Sequence, residues 1–198
     1  MTSEAKNDSR RRFLTGLTSV AGAAGAVGIA VPFVGSWQPS AKAKAAGAPV
    51  KFDISKVEPG QLVRVEWRGK PVFVLRRTAE QVQALPGLND KLKDPMSANA
   101  GQQPTYVNPE LRTIEDEYLV LVGLCTHLGC SPKYLTKLDG VPGGGDWEGG
   151  FFCACHGSKF DLAGRVYSGS PASDNLLVPP YSYETSSVIV IGVDEGAA

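Results

Sequence analysis

The sequence predicts an all-β domain carried behind one N-terminal apolar helix. Three observations lead there. The stretch from Phe13 to Trp37 is free of charge. Residues Gln61–Thr78 alternate apolar and polar side chains around a turn signal. Finally, 23 glycines and 14 prolines among 198 residues mark many turns. This length suits one domain plus an N-terminal element.

The N-terminal element comes first. In "SRRRFLTGLTSVAGAAGAVGIAVPFVGSW" three arginines precede the charge-free run. At about 1.5 Å rise per residue that run can cross a hydrocarbon core of about 30 Å. Arg10–Arg12 keep their end cytoplasmic by the positive-inside tendency, and Trp37 lies where an interfacial anchor is expected. Ser9–Leu14 also resembles a twin-arginine export signal, an address read by a receptor. A cleaved signal peptide is the competing reading, since "SAKAKAAGA" contains A-x-A patterns. The length of the run, Pro32 and Trp37 favour an uncleaved, single-pass anchor. Either way the residues beyond about 50 lie outside the cytoplasmic membrane, where a disulfide is permitted. The organisation expected is an anchor over 1–38, an exposed alanine-rich tether over 39–49 and a folded domain over 50–198.

The domain elements follow. "QLVRVEWRGKPVFVLRRT" predicts a hairpin turning at Arg68–Pro71. Thr78 can cap a short helix, "AEQVQAL", that ends at Pro86-Gly87. Asn89–Pro109 reads as polar loop. "EYLVLVGL" is a buried strand, "DGVPGGGDWEGG" a long glycine-rich loop, and "SSVIVIGV" a terminal strand. The formal charge is zero overall, but residues 1–49 hold six bases and two acids, leaving 14 bases and 18 acids for the remainder. A folded part with a net charge of −4 and no basic patch excludes nucleic acid as a partner.

All four cysteines and both histidines fall in two boxes, Cys125-Thr126-His127-Leu128-Gly129-Cys130 and Cys153-Ala154-Cys155-His156-Gly157-Ser158. Disulfides alone do not explain why both histidines share those boxes. Covalent haem needs C-x-x-C-H, and the second box is one residue short. A structural zinc ion takes Cys₂His₂ and leaves two cysteines over. Cys125-x-His127 with Cys153-x-x-His156 matches the Rieske pattern, in which two cysteines hold one iron of a [2Fe–2S] cluster and two histidines the other.

The two boxes, the anchor and the tether together resemble the Rieske iron–sulfur subunits of bacterial ubiquinol–cytochrome c reductases, along essentially the whole chain. That resemblance implies an antiparallel β-sandwich with an inserted cluster-binding subdomain, here about 122–164, and one [2Fe–2S] cluster. Cys125 and Cys153 would hold the inner iron and His127 and His156 the outer, with Cys130 and Cys155 forming a disulfide between the loops. It implies ubiquinol as donor, a cytochrome b and a c-type cytochrome subunit as partners, a dimeric complex, and a periplasmic domain on an inner-membrane anchor. His156 would meet the quinol and accept its proton. Leu128 would shield the cluster and pack against cytochrome b; its plainer reading is an ordinary core residue. Ser158 matches a serine that donates to a bridging sulfide and so raises the potential. Phe160 departs from the tyrosine usual there, whose hydroxyl bonds a ligand sulfur. A potential below the usual high range but above ferredoxins is therefore expected. Ser173 stands where a further proline is usual in the covering loop Gly169–Leu176, which puts the rigidity of that loop in question. Ser40–Gly47 is the hinge expected for a domain that swings between donor and acceptor. A second family, the small Rieske subunits of periplasmic molybdenum oxidases such as arsenite oxidase, shares the export signal and a phenylalanine after the second box. A zinc-stabilised binding module is the non-redox alternative.

Overall fold

The computed structural model describes residues 3–136 and 147–194. The expected glycine-rich loop lies outside the described residues up to position 146. The chain forms two compact units, Met1–Ala45 and Ala46–Ala198.

The first unit is dominated by helix α1, Ser3–Gly35. Its stretch Asn7–Gly35 has a mean hydropathy of 1.8 and is long and apolar enough to cross a membrane. Phe13, Val20, Val27, Ile29 and Val31 are all more than half exposed. A helix that shows apolar side chains around its circumference has no protein face to bury and suits hydrocarbon. Its hydroxyls carry their own partners: Thr15 Oγ1 donates to Arg11 O at 2.8 Å and Thr18 Oγ1 to Leu14 O at 2.9 Å. Where the sequence suggests a plain tether, Ala41–Ala46 forms a short helix, α2. Ser40 Oγ accepts from Ala43 N at 3.1 Å. Alanine has the highest helix propensity, and one N-cap suffices to start such a turn.

Among the described residues, the second unit holds nine strands in three antiparallel, three-stranded sheets. Strands β1 (Val50–Asp53), β9 (Val188–Ile191) and β8 (Tyr181–Thr185) make the first sheet, in that order. The second runs β2 (Leu62–Trp67), β3 (Lys70–Arg76), β4 (Tyr118–Val122). The predicted hairpin joins β2 to β3 through Arg68-Gly69, with φ of 52° and 69°. Two successive positive φ values give the turn whose twist matches paired strands. Central strand β3 buries Val72, Phe73, Val74 and Leu75 on both faces. Gly192, just past β9, lets these two sheets close, since a Cβ there would sit 2.5 Å from Trp67 Nε1. Helix α3, Ala79–Ala84, begins with Thr78 and Gln81 in a reciprocal capping box.

The third sheet, β5 (Lys133–Thr136), β6 (Gly149–Cys153) and β7 (Ser158–Phe160), is the insertion between β4 and β8. Its root is ionic. Asp161 and Arg165, both fully buried, pair at 2.7 Å. Arg165 also donates to Asn89 Oδ1, Pro95 O and Leu85 O. Two further buried guanidiniums reach the same turn from the base: Arg77 donates to Leu162 O, and Arg112 to Ala163 O and Gly164 O. Burial lowers both Arg77 and Arg112 to about 10, which leaves them charged at neutral pH. Backbone carbonyls therefore solvate charges that water cannot reach.

Candidate metal centre

The first box leaves β4 through Gly123, whose N–H donates to Pro71 O at 2.7 Å. The chain then closes on itself. Cys125 N donates to Cys130 O at 2.8 Å, and Gly129 N donates back to Cys125 O at 2.9 Å. The second box is the β6–β7 hairpin, framed by the pair Cys153↔Ser158. There Gly157 N donates back to Cys153 O at 2.9 Å. Gly129 and Gly157, each four residues after a cysteine, have φ of 81° and 79°. One local device thus shapes both loops: a cysteine carbonyl capped by the amide of a left-handed glycine.

These loops bring the predicted residues together. Cys125 and Cys153 are buried free thiols. The rings of His127 and His156 meet edge to face with centroids 4.7 Å apart. Cys130 and Cys155 are joined by a disulfide across the loops. Donor exposure is graded, with buried sulfurs, a half-buried His127 and an exposed His156. Burial pushes the Cys153 thiol up, opposed by the backbone N–H groups of Cys155 and His156, while the neighbouring Cys125 thiol pushes it further. Two adjacent thiols cannot both ionise cheaply unless a cation joins them. The buried Nδ1 of His127 has no hydrogen-bond partner. A metal centre would satisfy this orphan atom and both thiols at once. The sulfurs of Cys130, Cys153 and Cys155 also lie within 4.8 Å of one another. The disulfide withholds two of them, so the donors that remain are two thiols and two imidazoles.

The other predicted residues take distinct places. Leu128 is 71% exposed at the tip, which rules out its reading as a core residue. Ser158 is fully buried, and its Oγ accepts from Ala172 N at 3.0 Å. Phe160 is fully buried, paired with Phe151 across β6 and bridged to Val166. Three residues that the sequence did not single out complete the surroundings. Thr126 Oγ1 donates to Asp174 O at 2.6 Å, tying the first box to the loop Gly169–Leu176. Asn175 anchors the far end of that loop, accepting from Val166 N and donating to Asp94 O. Lys93 reaches its near end. Only the i,i+4 spacing of Asp161 and Arg165, behind the second box, could have signalled the ionic root in advance.

Comparison with known proteins agrees with this geometry. Residues 49–182 match the family model of the Rieske [2Fe-2S] domain. Residues 1–40 match that of the ubiquitinol-cytochrome C reductase Fe-S subunit TAT signal. The chain is 52% identical over 198 residues to the ubiquinol-cytochrome c reductase iron-sulfur subunit of Allochromatium vinosum, covering 100% of this chain and 95% of that one. The corresponding subunit of Blastochloris viridis is 42% identical over 192 residues, covering 96% and 97%. That of Bradyrhizobium diazoefficiens is 38% identical over 191 residues, covering 96% and 98%.

Proposed function

Because the chain belongs to the Rieske iron–sulfur subunits of bacterial ubiquinol–cytochrome c reductases, we propose that Cys125, His127, Cys153 and His156 hold its [2Fe–2S] cluster. The chain is the electron-transfer subunit of such a reductase and passes electrons from quinol toward a cytochrome. The match of its first forty residues and its full-length relatives set aside the molybdenum-oxidase alternative.

The observation that carries the assignment is that two adjacent buried thiols and two imidazoles in edge-to-face contact, one of them with an orphan nitrogen, lie on two loops tied by a disulfide. When bound, a cluster of this kind supplies a one-electron acceptor, held by neutral imidazoles at between about −150 and +300 mV. The remaining roles belong to the chain. Exposed His156 presents its ring to quinol and takes up the proton there. Leu128 excludes water from that contact and seats against a cytochrome b subunit. Ser158, with one lone pair occupied by Ala172 N–H, would have its hydroxyl proton available to donate toward the cluster. A c-type cytochrome receives the electron, residues 39–49 act as the tether, and the domain lies on the periplasmic side of a dimeric complex.

Metal analysis and electron paramagnetic resonance of the reduced, full-length protein test the ligand set. Two irons per chain and a Rieske spectrum are expected, both abolished by His127→Leu or Cys153→Ser. Zinc in place of iron, or a His127→Leu protein that keeps its spectrum, overturns the assignment. Co-purification with cytochrome b tests the partner.

A further inference from the structure

Lys91–Lys93 runs antiparallel to Val166–Ser168. Lys93 N donates to Val166 O at 3.0 Å, Ser168 N donates to Lys91 O at 2.8 Å, and Leu92 bridges to Tyr167. This ladder fixes the Lys93 backbone beside the loop Gly169–Leu176. From there Lys93 Nζ donates to two carbonyls of the loop, Ser170 O and Ala172 O, each at 2.7 Å. Charge-assisted bonds of this length are the strong class of hydrogen bond, and two from one ammonium fix the curvature of the peptide between their acceptors. Pro171 lies between those acceptors, and Ser173, which cannot restrict φ as a proline does, lies just after.

The clamp acts on the site through one link. Ala172 N, in the residue whose carbonyl Lys93 grips, donates to buried Ser158 Oγ. Ser158 lies directly opposite Cys153 in the β6–β7 ladder. A hydroxyl whose acceptor side is occupied has its proton directed elsewhere. We infer that Lys93 is a positioning residue for electron transfer. By clamping the covering loop it holds Ala172 N–H on Ser158, and thereby aims the Ser158 hydroxyl at the cluster. A cation supplied from nearly eighty residues upstream thus restrains a loop whose Ser173 leaves φ free.

The inference rests on Cys153 being a cluster ligand, and the test separates the two. In the full-length protein, Lys93→Met is compared with Lys91→Met, which removes the same charge from the same ladder without touching the loop carbonyls. Hydrogen exchange at the Ala172 amide is followed with and without the cluster, and the midpoint potential with it. Lys93→Met is expected to speed exchange about tenfold in both states and to lower the midpoint, while Lys91→Met leaves both readings at wild type. Unchanged exchange or an unchanged midpoint in Lys93→Met overturns the inference. So does an equal midpoint shift in Lys91→Met, which would assign the effect to charge alone. Exchange in the cluster-free chain reports the clamp even where the ligand assignment fails, and the resonance spectrum reports the ligands alone.

Discussion

The two ends of the β5–β7 insertion satisfy polar groups in opposite ways. At the root, the Asp161–Arg165 pair and the guanidiniums of Arg77 and Arg112 have partners throughout. At the tip, two thiols remain unbridged and His127 Nδ1 remains unpaired. The root is complete as a protein, whereas the tip is complete only with something added. Stability and cofactor chemistry are therefore separable in this fold, and substitutions should sort by the end they touch.

The largest effect is expected at the root. Arg165→Met leaves the buried Asp161 carboxylate two backbone amides but no paired cation and should cost about 3–5 kcal/mol, read from urea unfolding. A loss below about 1 kcal/mol, the range of an exposed pair, would show that the root is not held this way. Next comes the link between the two donor loops. Replacing both Cys130 and Cys155 by alanine frees a loop with a sequence separation of 25 residues. The chain-entropy model puts that at about 3.5 kcal/mol, with the reduced protein keeping its resonance spectrum but losing iron faster. Loss of the spectrum at once would make these cysteines ligands and blur the division. Smallest is Phe160→Tyr, which sits between the two ends. The added hydroxyl should raise the midpoint potential by voltammetry with the stability little changed, and an unmoved midpoint would count against a sulfur acceptor beside Phe160.

The tip was legible in the sequence because its chemistry is local. Six metal-competent side chains fall within two six-residue boxes, and the motif those boxes resemble implied which of them would serve as ligands. The β2–β3 hairpin and the Thr78 cap were legible for the same reason. The root was not. Arg77, Arg112 and Arg165 are scattered along the chain, and an arginine that will spend its donors on distant carbonyls looks like any surface arginine. The strands of the third sheet, three to five residues long, are too short to show a period, and the boxes interrupt them. The contacts of the covering loop were hidden for a related reason. Ser173 put its rigidity in question, while the contacts that hold it come from Lys93 and Thr126, both remote in sequence, and from the loop's own Asn175.

The paired glycines that close the donor loops carry one last implication. A methyl group built on Gly129 or Gly157 meets nothing within 4 Å, whereas one on Gly150 would lie 2.1 Å from Phe160 O. The first two positions are thus reserved by torsion alone, whereas Gly150, with φ of 138°, is reserved by volume as well. Alanine at 129 or 157 incurs only the left-handed penalty of about 1–2 kcal/mol, so a mirror-image residue introduced by chemical synthesis should relieve it, a remedy with no counterpart at 150.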